Sequence, residues 1–439
     1  DLDDAISLSH TKNGYHLGVH IADVSHYVKA NSSIDKEALH RGTSVYYANR
    51  VVPMLPKELS NGICSLNPNE NRLALSCIMD LDSSGEILKY EFHKTVICSR
   101  VKGVYSEINA ILKDAQTDEI SKKYSCVREN ISLMNELADI LIANRERRGA
   151  PQLETTESKL VIDENDMCVN VIPRQRGKSE QIIEEFMLLA NQCAANLSKT
   201  KQIPFVYRIH EDPSPEKIAK MKEYLTSMNI QFPHFSTVKP GHFSEILNNN
   251  RDNPKFPVIN TILLRSMAKA KYSQEPVGHF GLALKDYAHF TSPIRRYPDL
   301  SIHRIITDLL AGYDQAWLTK RYQAFVVNSS ERSTTTELTA TKVERDCEDC
   351  YKAEYMLSHI NEEFEGIISS VTEFGMYVEL PNTVEGLIHV HSMPDNFDFD
   401  GMTSLKGQLT GKVYSLGDKV KIKCVGANVN SGNIDFNLV

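Results

Sequence analysis

The sequence has no long apolar run: nowhere do its 439 residues approach the roughly 18 consecutive apolar residues that a membrane-spanning helix needs. No charged-then-apolar stretch of the secretory type opens it, so a cytoplasmic protein without a membrane is expected. A cysteine framework is missing too. Nine cysteines is an odd number, and the irregular spacing of Cys64, Cys77, Cys98 and Cys126 excludes a disulfide scaffold and fits a reducing compartment. Cys347 and Cys350 form one CxxC, but no second pair or suitably spaced histidines complete a zinc site, so they read as two helical cysteines. The absence of low-complexity tracts and of repeats of about 20 to 50 residues excludes a repeat architecture. Positive charge is also in short supply, because 49 Lys and Arg stand against 57 Asp and Glu for a net charge of −8. A nucleic-acid-binding protein of this balance must confine its attraction to a local groove, or draw on segments outside this sequence.

What is present describes a globular protein of two or three domains, 41% hydrophobic and 24% charged. Residues 5 to 24 read as a β-hairpin: Ile6 and Leu8 alternate, Asn13-Gly14 supplies the turn, and Tyr15, Leu17, Val19 and Ile21 alternate on the return. Further strands are expected around Ala74–Met79 and Tyr90–Cys98, then helices from about Ser106 to Arg148. Ile182 to Asn191 has apolar residues at helical spacing, with Glu184 and Glu185 embedded among them. After Tyr297-Pro298, Asp299 can cap a helix carrying Leu300, Ile302, Ile305, Ile306 and Leu309. A last helix is expected over Leu338 to Ile360. From Phe364 the texture changes to short β runs with glycine turns, five of them in roughly 75 residues, which suggests a small OB-fold barrel. The fold class is therefore α+β followed by an all-β barrel, with domains at 1–361 and 362–439.

Two segments carry chemistry. Asp1, Asp3 and Asp4 place three carboxylates within four residues, and hard oxygen ligands of this kind suit Mg²⁺ or Mn²⁺. In an extended segment Asp1 and Asp3 face the same way and could share one metal while Asp4 reaches another. An exposed acidic stretch is the alternative. The second segment, Thr291-Ser292-Pro293-Ile294-Arg295-Arg296-Tyr297-Pro298-Asp299, puts adjacent guanidinium groups in a proline-bounded loop before a helix, a geometry suited to a phosphate. Carboxylate-bound cations opposite an arginine make a phosphoryl-transfer site.

Asp1-Leu2-Asp3-Asp4-Ala5, the run His20–Tyr27 (HIADVSHY), Arg41–Tyr46 (RGTSVY), Val52–Leu59 (VPMLPKEL), Cys64–Pro68 (CSLNP) and His279–Leu300 together resemble the RNase II/RNase R (RNB) family, and the RNase R branch in particular. Eukaryotic exosome and organellar relatives share much of the pattern. These motifs run in order through most of the first 360 residues, and the terminal β pattern resembles the S1 domain that follows the catalytic domain in this family. The resemblance implies a two-metal site of four aspartates, with Asp1, Asp3 and Asp4 as the last three and one ligand expected upstream of this chain. It further implies that Asp3 and Asp4 are the critical carboxylates, that Arg295 stabilises the scissile phosphate, and that Arg296 positions the RNA backbone. Tyr46 and Tyr105 match aromatic positions along the RNA path. Glu184, with Glu185 as the competing register, matches a contact to the terminal sugar, and Glu344 falls at a later acidic position. Leu153 stands where some bacterial relatives carry a stacking phenylalanine. In the barrel, Phe374, Tyr377 and His389 match an RNA-binding face, although strand alternation alone would not bring Phe374 and Tyr377 together.

The function so implied is processive 3′-to-5′ hydrolysis of RNA to nucleoside 5′-monophosphates, in RNA turnover and quality control. Its partners would be single-stranded RNA or 3′ overhangs, and the protein would act as a monomer. Association with the ribosome or an RNA-degradation machinery is left open. The alternative is a catalytically silent RNA-binding protein of the same fold.

Overall fold

The hairpin at Asn13-Gly14 nucleates a four-stranded antiparallel sheet in this computed structural model, which describes residues 1–154, 156–232 and 237–439. Its strands run in the order Asp4–Thr11, Gly14–Ala22, Asn71–Asp82 and Ile87–Cys98. Period-two alternation places Leu17 opposite Met79, Val19 opposite Cys77 and Ile21 opposite Leu75. All six are buried, and the helices Lys178–Lys201 and Tyr297–Leu310 cover them with Phe186, Ala190, Cys193, Ile302 and Ile305. The sheet therefore has one dry face whose register is fixed by what it buries.

The expected helical stretch after residue 105 is three helices, Tyr105–Leu112, Asp118–Lys123 and Arg128–Arg147. Asp114, at a φ of 52°, breaks the first, and the Thr117 hydroxyl caps the second by accepting from the Ile120 N–H. Helices Pro215–Ser227, Pro240–Asn249 and Phe256–Ser266 form a separate apolar cluster, and Leu153 packs against it.

The last helix is far longer than its apolar pattern indicates. It spans Gln315–Leu357, 43 residues, and begins well before Leu338. Its first half is rich in Ser and Thr, residues that usually favour turns because their hydroxyls compete for backbone groups. Here that competition is resolved within the helix: the hydroxyls of Thr334, Thr335, Thr336 and Thr339 each donate to the carbonyl four residues earlier. Ser329, Ser330 and Ser333 are buried, and small side chains there let the neighbouring helix approach until Ser301 and Ser329 hydroxyls lie 2.9 Å apart.

The chain leaves this helix at Leu357 and enters the first barrel strand at Glu363. Strands Glu363–Thr372, Gly375–Glu379, Glu385–His389, Asn433–Leu438 and Lys419–Asn428 close a five-stranded barrel in that spatial order. A three-stranded sheet of Phe397–Phe399, Ser404–Gly407 and Val413–Ser415 is inserted before the fourth and fifth. The barrel core is not self-contained. Ala353 and Met356 from the long helix, and Cys168 and Val171 from the hairpin Ser158–Pro173, join Ile368, Met376, Ile388, Ile422 and Phe436 in one buried cluster. No helix among the described residues is long and apolar enough to cross a membrane.

Candidate active site

The backbone of the acidic segment is held on both sides by other motifs. Leu2 N–H donates to the Ser65 hydroxyl at 3.0 Å, Leu66 N–H donates to the Leu2 carbonyl at 2.9 Å, and Ala22 N–H donates to the Asp3 carbonyl at 2.8 Å. So the CSLNP and HIAD runs clamp the segment and aim its side chains. Asp3 points inward and is 8% exposed. One carboxylate oxygen, Oδ1, accepts from the Ile294 N–H at 2.9 Å, while Oδ2 stands 3.8 Å from the Arg295 Nε. Burial pushes the Asp3 carboxyl up to about 7; the Ile294 bond and Arg295 pull the other way, and the charges of Asp4 and Asp299 push further up.

Asp4 starts the first strand opposite Ile21 and lines a cleft of about 530 Å³ together with Tyr105, His20, Arg100 and Lys102. Although open to solvent, it is enclosed by protein, and desolvation raises its carboxyl against the pull of Arg295. Asp1 is exposed. Among the described residues no three His, Cys, Asp or Glu side chains gather closely enough to hold a metal, so Asp1, Asp3 and Asp4 do not form a ready-made cage. The donor chemistry nevertheless suits a hard cation: two carboxylates are desolvated, and Oδ2 of Asp3 makes no hydrogen bond among the described residues.

The arginine loop comes from the other end of the domain. Asp299 does not cap the following helix; Arg296 occupies that position, and Asp299 lies in the first turn, wholly buried. Its carboxylate reaches back to the loop, accepting from the Ser292 N–H at 2.8 Å and from the Arg296 guanidinium at 2.7 Å. Arg296 is thereby tied into the loop, its side chain 18% exposed. Arg295 is the opposite case: its side chain is 45% exposed, with one hydrogen bond to the Ser292 hydroxyl at 3.2 Å.

The RGTSVY run holds this loop from outside. Ser44 N–H donates to the Arg295 carbonyl at 2.9 Å and Tyr297 N–H to the Gly42 carbonyl at 2.9 Å, and the Thr43 hydroxyl adds a bond to the Arg295 carbonyl. Gly42 must be glycine twice over: its φ is 69°, and a Cβ would lie 1.9 Å from the Thr336 hydroxyl on the long helix. Tyr46 follows on a short hairpin, 40% exposed, in the electrostatic field of both Arg295 and Asp3. Glu344 is already engaged, accepting from the Tyr46 N–H at 2.7 Å.

The remaining expected residues sit as follows. Tyr105 is 47% exposed at the start of its helix, in the cleft with Asp4. Glu184 accepts from Arg145 at 3.1 Å, and the same guanidinium lies 3.2 Å from the buried Glu185. In the barrel, Phe374 and Tyr377 do meet, with ring centroids 6.4 Å apart and edge to face. Alternation fails to predict this because Phe374 lies in the turn before the strand that carries Tyr377. His389 is paired in register with Gly375, one of the two residues between them. Sequence reasoning missed the loop-holding roles of Thr43, Ser44 and Asp299. The motifs that contain them were legible, but nothing local shows which backbone groups they will meet.

A buried carboxylate thus faces the arginine loop on the α+β part of the chain, and an OB barrel that exposes Phe374 follows it. The profile described as RNB domain matches residues 1–312, and that of the S1 RNA binding domain matches residues 359–438. The chain belongs to the RNB family. It is similar to Ribonuclease R 1 of Lactococcus lactis, 41% identical over 99% of this chain and 54% of the relative. It is equally similar to Ribonuclease R of Thermotoga maritima, 41% identical over 100% of this chain and 62% of the relative. Among solved structures, Mycoplasma genitalium RNase R in complex with ribose methylated single-stranded RNA superposes with a TM-score of 0.93 at 33% identity, over 100% of this chain and 69% of that one. The chain thus spans 54% to 62% of the length of these two curated relatives.

Proposed function

We propose that this protein is a processive exoribonuclease that hydrolyses RNA from its 3′ end to nucleoside 5′-monophosphates. The observation that carries the reading is the pairing of Asp3 with the arginine loop, at Ile294 N–H and Arg295 Nε, in a chain of the RNB family. Mg²⁺, or Mn²⁺ in its place, would be held by Asp3 and Asp4 with Asp1 nearby. When bound, it supplies neutralising charge and an activated water for in-line displacement at phosphorus.

The protein's own groups do the rest. Ile294 N–H keeps Oδ1 of Asp3 occupied, which leaves Oδ2 turned toward the reacting centre. The exposed guanidinium of Arg295 binds the non-bridging phosphate oxygens and stabilises the charge that grows on them. Tyr46 stacks on a terminal base, with its backbone fixed by Glu344, and Tyr105 offers a second aromatic surface beside Asp4. Glu184 reads the terminal 2′-hydroxyl, the feature that separates RNA from DNA, with Arg145 setting its direction. Arg296 acts from behind the loop. Phe374, Tyr377 and His389 grip the incoming strand on the barrel.

The substrate is single-stranded RNA or a 3′ overhang, in keeping with the ribose methylated single-stranded RNA bound by the Mycoplasma genitalium protein. The setting is cytoplasmic RNA turnover and quality control by a monomer, with the ribosome or a degradation machinery as larger partners. A digestion time course on 5′-labelled and 3′-labelled RNA tests the proposal. A 3′ label must appear at once as mononucleotide, while the 5′ label ends in a short limit product without intermediates. Internal fragments, or binding without cleavage at any Mg²⁺ concentration, would contradict it.

A further inference from the structure

Asp299 is a fully buried carboxylate near the site that the proposed reaction itself does not use. It is 0% exposed, its Oδ2 has no hydrogen-bond partner among the described residues, and taking a carboxylate out of water carries a large penalty that its ion pair must offset. A buried ion pair is weak as a stabiliser, because an apolar pair of similar volume is often as good. Its value lies in fixing one arrangement.

The arrangement fixed here is the arginine loop. A single oxygen, Oδ1 of Asp299, accepts from Ser292 N–H at the loop's start and from the Arg296 guanidinium at its end. Ser292 in turn organises everything between. Its carbonyl accepts from the N–H groups of Arg295 at 3.3 Å and Arg296 at 2.9 Å, and its hydroxyl accepts from the Arg295 side chain at 3.2 Å. The middle of the same loop gives Ile294 N–H to Asp3. Both groups that face Asp3 therefore hang from the Asp299 carboxylate, through Ser292 and Arg296.

We infer that Asp299 is a positioning residue for the proposed reaction: through Ser292 and Arg296 it holds Ile294 N–H and the Arg295 guanidinium in register with Asp3. This rests on the exonuclease reading above. Misplacing a transition-state group by about 1 Å costs on the order of 100-fold in rate, so Asp299→Ala should lower the single-turnover rate by about that factor. RNA affinity should stay within about threefold, because the lost alignment matters in the transition state and not in binding. Asp299→Asn keeps an acceptor at Oδ1 and should recover about tenfold of the loss, since the neutral acceptor retains part of the bond energy.

A merely structural role is distinguished by repeating Asp299→Ala in an Arg295→Ala background. If Asp299 acts through Arg295, the second substitution adds less than about threefold, because coupled residues are non-additive. The same full loss in both backgrounds would overturn the inference. Manganese binding, followed by electron paramagnetic resonance, gives a readout that needs no turnover. Asp299→Ala should weaken it by about tenfold through the lost alignment of Asp3, on the scale of second-layer partners of metal ligands. Were the wild-type protein inactive on RNA, the exonuclease reading would fall by itself. The manganese measurement would then decide the positioning role, with unchanged affinity overturning it. Asp299→Asn serves all three measurements if the alanine variant does not fold.

Discussion

Asp3 meets Ile294 across a sequence separation of 291 residues, whereas Phe374 meets Tyr377 across one turn. The first contact exists only when the whole domain has folded, and it is buried. The second forms with a single β-hairpin and stays at the surface, with Phe374 47% exposed. Long-range assembly lets the domain exclude water from its charges, which is why the carboxyls of Asp3 and Asp4 are raised by desolvation. Among the barrel's expected RNA contacts, by contrast, Tyr377 is half-buried and His389 exposed. On the proposed function, the first region changes the free energy of a reacting phosphate and the second adds gripping surface. Substitutions should divide along that line.

The largest break in the comparison is expected at Asp3. Asp3→Asn removes the carboxylate that faces Arg295, and should reduce digestion of 3′-single-stranded RNA by more than about 10³-fold while RNA binding is retained, because charge at the reacting centre is usually the largest catalytic contribution. Digestion at the wild-type rate would remove Asp3 from the chemistry. Arg295→Ala comes next, with a loss of about 10² to 10⁴ in the single-turnover rate. A change in affinity alone would make Arg295 a binding residue, and the two regions would then be alike.

Stability offers a smaller contrast. In chelator, folded Asp3 holds a proton up to about pH 7, while the unfolded chain loses it near its ordinary value. Folding therefore gains from Asp3 below about pH 4, and the gain is lost as pH rises through 7. An upper bound on that loss is about 4 kcal/mol. Denaturant midpoints from pH 4 to 8 should fall in the wild type, and Asp3→Asn should flatten the slope. An unchanged slope in the variant would mean that Asp3 is not desolvated. The smallest effect belongs to the barrel: Phe374→Ala or Tyr377→Ala should each cost about 1 to 3 kcal/mol of RNA affinity, the usual worth of a base stack. Binding isotherms of labelled single-stranded RNA would show it.

The same contrast explains what the sequence could reveal. The hairpin at Asn13-Gly14, the strand of Leu17, Val19 and Ile21, and the glycine-punctuated barrel all rest on local patterns, and the structure contains them. The long helix was only half legible, because the hydroxyl-rich stretch from Asn328 to Thr341 reads as unfavourable until Thr334, Thr335, Thr336 and Thr339 are seen bonding to their own helix. Asp299 looked like a cap because its place before an apolar run fits one; its real partners, Ser292 and Arg296, depend on how the loop folds back. Glu344 and Glu184 could be found as acidic positions. That one holds Tyr46 and the other is held by Arg145 follows from packing between segments far apart in the chain. The apolar cluster of Pro215–Ser227 and its neighbours, where Leu153 lies, carried no chemical motif and went unread.

The division between the two regions is tested most directly by single-turnover digestion of 5′-labelled single-stranded RNA over a range of protein concentrations. The variants to compare are Arg295→Ala and the double variant Phe374→Ala/Tyr377→Ala. The barrel variant should need more protein for half-saturation yet reach the wild-type rate at saturation, while Arg295→Ala should saturate as the wild type does and cleave slowly even then. A barrel variant that remains slow at saturation, or an Arg295→Ala protein rescued by concentration, would contradict the account.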